Sequence, residues 1–519
     1  MSLQKSYLLG IDLGTTNIKG NLMDEDGNLI STASRPNSRI TPSPGRVEQD
    51  PMEWWGNACE ILKDITAQAG ENVVANIKGI SISSQCITLL PVDENGNPLY
   101  NAIIYQDSRA AKETEEVCQM LGFERFVDIV GGLPSVGFLP GKLLWFKRNE
   151  PEIFAKTHSI LQANGWLNYK LTGAFTIDID TASRTQCMNF KKLEWSRDIG
   201  EALEIDLNKV LPKPVLCTEI IGHVTEEAAK ETGLKAGIPV IGGCSDAMAS
   251  MYATGMSKLG DAGESSGTTS LVFASANKRS ATNAPVVTRP TGLDEMPFVY
   301  DGPIGSSGAS IKWYLENFGV ADEENAKKAG MSMYDFMNKQ ALEADPGAGG
   351  LLFFPYLVAG ERAPLWNSHA RGMFIGLTIE TKRQDIARSV FEGTAFALRH
   401  VMDVVKKSGG QANVIRITGG GAKSRTWNMI KASMLHMPVY VMDEKSGDVP
   451  VGDVLLAGHA VGVLPDLSKA IEKMIKVKEI IEPIPEWEAV YDELYPYYLD
   501  MYEHLDKDLK KMSNLKKKA

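Results

Sequence analysis

Three short stretches of this 519-residue chain place small residues beside carboxylates or hydroxyls in patterns that suit phosphate chemistry. The first is Gly10-Ile11-Asp12-Leu13-Gly14-Thr15-Thr16, where a strand-like run meets a Gly-Thr-Thr bend. Glycine lets the backbone approach a ligand, and successive amide N–H groups with the Thr15 and Thr16 hydroxyls form one concavity for phosphate oxygens. Asp12 would then stand beside the phosphates, where a hard carboxylate can hold Mg2+ directly or through its waters. An ordinary hairpin turn accounts for the same residues. A second copy, Gly267-Thr268-Thr269, lies close to half a chain length away and strengthens the phosphate reading.

The second stretch is Val240-Ile241-Gly242-Gly243-Cys244-Ser245-Asp246-Ala247, a strand and glycine turn opening a small-residue helix. Asp246 or Ser245 could simply cap that helix. Alternatively, Asp246 is a general base that takes the proton of an attacking hydroxyl during phosphoryl transfer. The third stretch, Thr418-Gly419-Gly420-Gly421-Ala422-Lys423-Ser424-Arg425, puts three glycines between a strand and a helix. Such a bare surface suits a nucleotide base or tight helix–strand packing. It lacks the Gly-Lys-Ser/Thr order of a Walker loop.

The elements that must carry these groups alternate. Helical periodicity is expected over Met52–Ala69, Arg109–Leu121, Lys142–Asn149 and Gln384–Lys407, and buried strands over Ile77–Ser83, Ile238–Gly242 and Val414–Thr418. Both Gly-Thr-Thr bends sit in strand hairpins, and the chain opens with a β-meander through the turn Glu25-Asp26-Gly27-Asn28. The alternation predicts an α/β fold with mainly parallel sheets covered by helices in two lobes. Residues 1–255 are expected to form the first lobe, 256–480 the second, and 481–519 a helical extension. The segment Trp487–Leu515 reads as a helix docked on the second lobe or as a homodimer contact.

Composition agrees with a packed, soluble enzyme: 43% of residues are hydrophobic and 23% charged. A net charge of −11 argues against tracking nucleic acid, which needs a basic face to displace counterions. The basic run at Lys510-Lys511 and Lys516-Lys517-Lys518 reads as a solvated helix end. Six cysteines occur without a Cys-x-x-Cys pair, so neither zinc nor a disulfide framework follows. With no signal-peptide core and no membrane-spanning apolar stretch, cytoplasm is the expected compartment.

Taken in order, these segments resemble the FGGY carbohydrate kinases, the family of glycerol, xylulose, ribulose and gluconate kinases. Gly45-Arg46-Val47-Glu48-Gln49-Asp50-Pro51 and its following Trp54-Trp55 look like the family's Glu-Gln-Asp-Pro…Trp segment. Phe354-Pro355-Tyr356-Leu357-Val358-Ala359-Gly360-Glu361-Arg362-Ala363-Pro364 looks like a xylulokinase-type segment. Gly372-Met373-Phe374-Ile375-Gly376-Leu377, with Asp385 through Glu392, satisfies the family's C-terminal signature. Gly137 through Trp145 follows the N-terminal signature except at Leu139, which replaces a small or hydroxyl residue.

The resemblance implies two ribonuclease H-like lobes of the actin-like ATPase type, with ATP and a sugar or polyol in the cleft between them. By position it makes Asp246 the general base and Asp12 the metal-assisting carboxylate. Thr15, Thr16, Gly267 and Thr268 would hold phosphates, and Gly308, Gly420, Gly421, Ala422 and Arg425 would line the nucleotide site. Sugar contacts are implied at Gln85, Cys86, Ile87, Tyr105, Asp107 and Arg109, although the Asp107–Arg109 pair could instead pin a turn. A ketopentose such as D-xylulose is the expected substrate. Gluconate, ribulose, a polyol or another hydroxylated molecule is the alternative, because Cys86-Ile87 replaces the Met-His usual in xylulokinases and the Arg-Glu usual in glycerol kinases. A non-catalytic sugar- and ATP-binding regulator is the further rival.

Overall fold

In the computed structural model, residues 5–280, 286–358, 361, 363, 365–367 and 369–515 are described. Ala359, Gly360, Arg362 and Pro364 of the xylulokinase-like segment, and Lys516-Lys517-Lys518, lie outside them. The chain forms two compact units, one of Met1–Ala253 with Asp448–Met474, the other of Thr254–Gly447 with Ile475–Ala519.

The first unit is built on a sheet whose strands are β1 (Tyr7–Leu13), β2 (Asn17–Asp24), β3 (Leu29–Pro36), β4 (Ile77–Ser84), β5 (Ile220–His223), β6 (Pro239–Ile241) and the short β7 (Cys244–Ser245). Its order is β5-β6-β4-β1-β2-β3, with β7 beside the end of β4. The meander β1-β2-β3 is antiparallel, whereas β4 runs parallel to both β1 and β6. Helix Pro51–Ala69 covers β2 and β3 with Trp54, Ala58, Ile61, Leu62 and Ile65, a helical stripe. Asp50 caps that helix by accepting the Met52 N–H at 2.8 Å, and Pro51 fills the first turn, where an N–H would have no intrahelical partner.

The second unit repeats the plan. Its strands are β8 (Asp261–Ser266), β9 (Ser270–Ala276), β10 (Val287–Leu293), β11 (Met296–Asp301), β12 (Val414–Thr418), β13 (Val439–Met442) and β14 (Val477–Ile481), in the order β10-β11-β9-β8-β12-β13-β14. As in the first unit, an antiparallel hairpin, β8-β9, is followed across the sheet by a parallel strand, β12, and its parallel neighbour β13. The two Gly-Thr-Thr bends therefore occupy the same topological place in each sheet.

The expected boundary near residue 255 lies close to the passage at Ala253, but an uninterrupted second lobe over 256–480 needs correction. Asp448–Met474 belongs to the first unit. Its helix Val449–Ala460 buries Pro450 through Gly458 and packs on β1 and β4. An element apolar nearly all round is stable only when covered on several sides. Nor is 481–519 a separate extension. Helix Pro485–Leu515 contributes Tyr491, Tyr495, Tyr498 and Tyr502 to the core of the second unit, and the Tyr498 hydroxyl meets that of Tyr356 at 2.9 Å.

Candidate active site

In the first unit, the tip Gly14-Thr15-Thr16 joins β1 to β2, and Asp12 lies opposite Ser83 of β4. The Ser83 hydroxyl is 3.2 Å from Asp12 Oδ1. Thr16 is exposed, whereas the Thr15 hydroxyl donates to Gln85 Oε1 at 2.8 Å. Gln85 also donates through Nε2 to Gln49 Oε1, and Gln49 returns a hydrogen bond to the Thr15 carbonyl at 2.9 Å. This closed ring of bonds braces the bend.

Asp246 opens helix Asp246–Ala253 and is half-buried. Ser245 supplies the cap, because its hydroxyl oxygen accepts the Met248 N–H at 3.3 Å. Asp180 fixes Ser245 by accepting its N–H at 3.2 Å and its hydroxyl at 2.5 Å. The preceding Gly243, at φ 77°, brings the backbone against β4; a Cβ there would stand 2.1 Å from the Ile82 carbonyl oxygen. The sharp turn thus needs glycine.

The electrostatics are those of a crowded acidic site. Burial, then the negative charges of Asp246 and Asp453, hold the Asp12 carboxyl well above the usual carboxylate range. Burial and the charge of Asp180 push Asp178 up to about 7, although Asp178 accepts from Thr181 N–H and Asn164 Nδ2. Among the described residues, no group of three His, Cys, Asp or Glu side chains could hold a metal ion by itself. Mg2+ commonly takes one or two carboxylates plus waters and substrate phosphates, so a half-buried Asp12 under the repulsion of neighbouring carboxylates fits such an ion.

The expected sugar contacts divide. Tyr105 is exposed and Cys86 half-buried. Ile87 is a core side chain, 2% exposed, in the cluster of Leu89, Ile103 and Leu143. Gln85 is spent on the ring described above. Asp107 accepts the Val47 N–H at 2.6 Å, and Arg109 bonds Asp107 and Glu48 while stacking on Trp145. The pair is therefore a buried turn lock in this structure, and one donor, Arg109 Nη1, has no hydrogen-bond partner. Lys142, to which the sequence reading gave no role, ties both segments together by donating to the carbonyls of Ile104 at 2.8 Å and Ile87 at 3.4 Å. Burial lowers its pKa to about 7. Its place in the N-terminal signature was the available signal.

In the second unit, Gly267 and Thr268 form the exposed tip between β8 and β9. Their carbonyls accept N–H groups from Gly308 at 3.0 Å and Ala309 at 3.0 Å, at the start of helix Gly308–Asn317. Gly308 thus supports the tip: a Cβ on it would lie 2.4 Å from the Gly267 carbonyl oxygen. Gly420 faces open space, whereas Gly421 presses on Ser266 and Ala422 is buried. Arg425 lies near the glycine turn, but its side chain is drawn to Glu479 at 2.8 Å. A buried ion pair that the sequence reading missed, Lys431–Glu264 at 2.8 Å, sits beneath this region, with Glu264 also accepting from Ser270.

Two sheets of repeated plan, each with a Gly-Thr-Thr hairpin, and a capped aspartate beside one of them define a phosphotransferase of the actin-like ATPase fold. The chain belongs to the FGGY family of carbohydrate kinases, matching its N-terminal domain over residues 7–253 and its C-terminal domain over 264–461. It is 31% identical to a xylulose kinase of Staphylococcus epidermidis across 96% of this chain and 97% of that protein. It is 30% identical to a gluconokinase of Bacillus subtilis across 96% of each. The crystal structure of gluconate kinase from Lactobacillus acidophilus superposes with a TM-score of 0.88 at 26% identity, covering 98% of this chain and all of that one. No helix among the described residues is long and apolar enough to cross a membrane.

Proposed function

We propose that this carbohydrate kinase transfers the γ-phosphoryl group of ATP to a hydroxyl of a ketopentose such as D-xylulose, with Asp246 as general base. The observation that carries this reading is the half-buried Asp246 carboxylate on a helix already capped by Ser245 and close enough to Asp12 for their charges to interact. Asp246 takes the proton of the attacking hydroxyl while the phosphoryl group moves to its oxygen, giving ADP and a sugar phosphate. Thr16 and the backbone of the first bend face the transferred phosphate, and the exposed tip at Gly267 and Thr268 faces it from the second hairpin. Asp12 would hold Mg2+, which would supply charge neutralisation for the phosphates.

The named xylulose kinases among the relatives favour a ketopentose. Gluconate is the second reading, favoured by the gluconokinase relative and the gluconate kinase structure. Coupled ADP release with Mg-ATP against ketopentoses, aldoses, sugar acids and polyols separates them. A dominant response to D-xylulose supports the first reading, a dominant response to gluconate replaces it with the second, and a silent panel with ATP bound points to a regulator.

A further inference from the structure

Directly behind Asp12 lies a second aspartate that no sequence motif singled out. Asp453, on helix Val449–Ala460, is fully buried. Its helix rests on β1 so closely that a Cβ on Gly10 would stand 2.1 Å from the Pro450 carbonyl oxygen and 2.9 Å from the Asp453 Cβ. The same helix touches the one that begins at Asp246; a Cβ on Gly452 would lie 2.1 Å from the Ala249 carbonyl oxygen. Asp453 is therefore set in a rigid backbone frame shared by both candidate catalytic carboxylates.

Its own carboxyl meets two serines of β4. Asp453 Oδ1 is 2.8 Å from the Ser81 hydroxyl, and Oδ2 is 2.6 Å from the Ser83 hydroxyl, which in turn stands 3.2 Å from Asp12 Oδ1. A serine hydroxyl has one hydrogen to give. If Ser83 spent it on Asp453, Asp12 would face only oxygen lone pairs. For Ser83 to donate to an ionised Asp12, a hydrogen must come to Ser83 from Asp453, as the neutral acid provides. The Ser81 hydroxyl then donates to the other Asp453 oxygen, and every polar atom in the row is satisfied.

We propose that Asp453 is a positioning residue for the reaction, acting through Ser83 to hold the Asp12 carboxylate in its cation-binding orientation. Burial, which pushes Asp453 up to about 8, is consistent with the neutral acid. A neutral Asp453 also removes one of the negative charges that disfavour an ionised Asp12. The inference rests on the reading of Asp12 as the metal-assisting carboxylate.

The test compares wild type with Asp12→Asn, Ser83→Ala, Asp453→Ala and Asp453→Asn. Thermal melting first checks that each is folded. Mn2+ binding in the presence of ADP, followed by its EPR signal, is then measured beside kcat and the sugar KM. Asp453→Ala and Ser83→Ala should each weaken Mn2+ binding and kcat about ten-fold, with the sugar KM little changed. The double variant should be no worse than either single one, because both break the same row. Asp453→Asn should recover most of the loss, since an amide can accept from Ser81 and donate to Ser83. Wild-type Mn2+ binding in Asp453→Ala, or an Asn variant as impaired as the Ala variant, would overturn the proposal while Asp12→Asn remains defective. If Asp453→Ala does not fold, normal Mn2+ binding by Ser83→Ala overturns it. Wild-type behaviour of Asp12→Asn would instead overturn the reading of Asp12 itself, and this inference with it.

Discussion

The two units share a sheet plan and a Gly-Thr-Thr hairpin but treat charge in opposite ways. Around Asp246 the first unit gathers Asp12, Asp178, Asp180 and Asp453, and satisfies Asp178 and Asp453 with amide and hydroxyl groups, leaving their pKa values raised. The second unit neutralises buried charge as close pairs, Glu264–Lys431 at 2.8 Å and Arg289–Asp301 at 2.7 Å, and shows glycine backbone at the surface. Unneutralised carboxylates can exchange protons or attract a cation; a paired site with bare backbone can only bind and orient. One duplicated plan thus accommodates a version with clustered carboxylates and a version with paired charges.

Substitutions should therefore fail differently in the two units. Leaving aside Asp246, the largest effect is expected from Asp12→Asn, which should lower kcat about a hundred-fold with little change in the sugar KM, measured by coupled ADP release. An equal loss in binding and turnover would blur the distinction. Gly308→Ala comes next: its Cβ would sit 2.4 Å from the Gly267 carbonyl oxygen. Displacing the hairpin at an overpacking cost of about 1–3 kcal/mol should weaken ADP binding roughly ten-fold or more by calorimetry. Retained ADP affinity would show that the hairpin does not hold phosphate.

The smallest effect concerns stability in the second unit. Burial lowers His400 to about 4, and its Nδ1 has no hydrogen-bond partner. Between pH 6.5 and 4 the unfolded chain binds a proton there that the folded chain refuses, so stability falls as pH falls, by up to about 1.4 kcal/mol per pH unit. Denaturant melts across that range should be less steep in His400→Gln. An identical pH slope in the variant would remove His400 from this role.

What could be read from the sequence were local features with long-range echoes. Both hairpins, the helix start at Asp246 and the glycine turn after β12 lie where turn chemistry and alternating elements put them. The buried partnerships of Asp453 and Lys431 were not legible, because each depends on contacts between segments far apart in the chain: Asp453 on Ser81 and Ser83, Lys431 on Glu264. The return of Asp448–Met474 to the first unit was missed for the same reason, since an apolar helix does not declare which sheet it covers. For the residues assigned to sugar, sequence shows the chemical groups but not their competing partners. Gln85, Asp107 and Arg109 carry groups suited to a sugar, but those groups are largely engaged by the protein's own backbone and side chains.

The most direct test of this division of labour is Asp246→Asn, with sugar-dependent ADP release and ADP affinity measured on the same preparation. The account predicts kcat lower by about a thousand-fold, within the span general-base removal usually shows, and ADP affinity within experimental reach of wild type. Near-normal turnover with the preferred sugar would contradict it and take the chemistry away from Asp246.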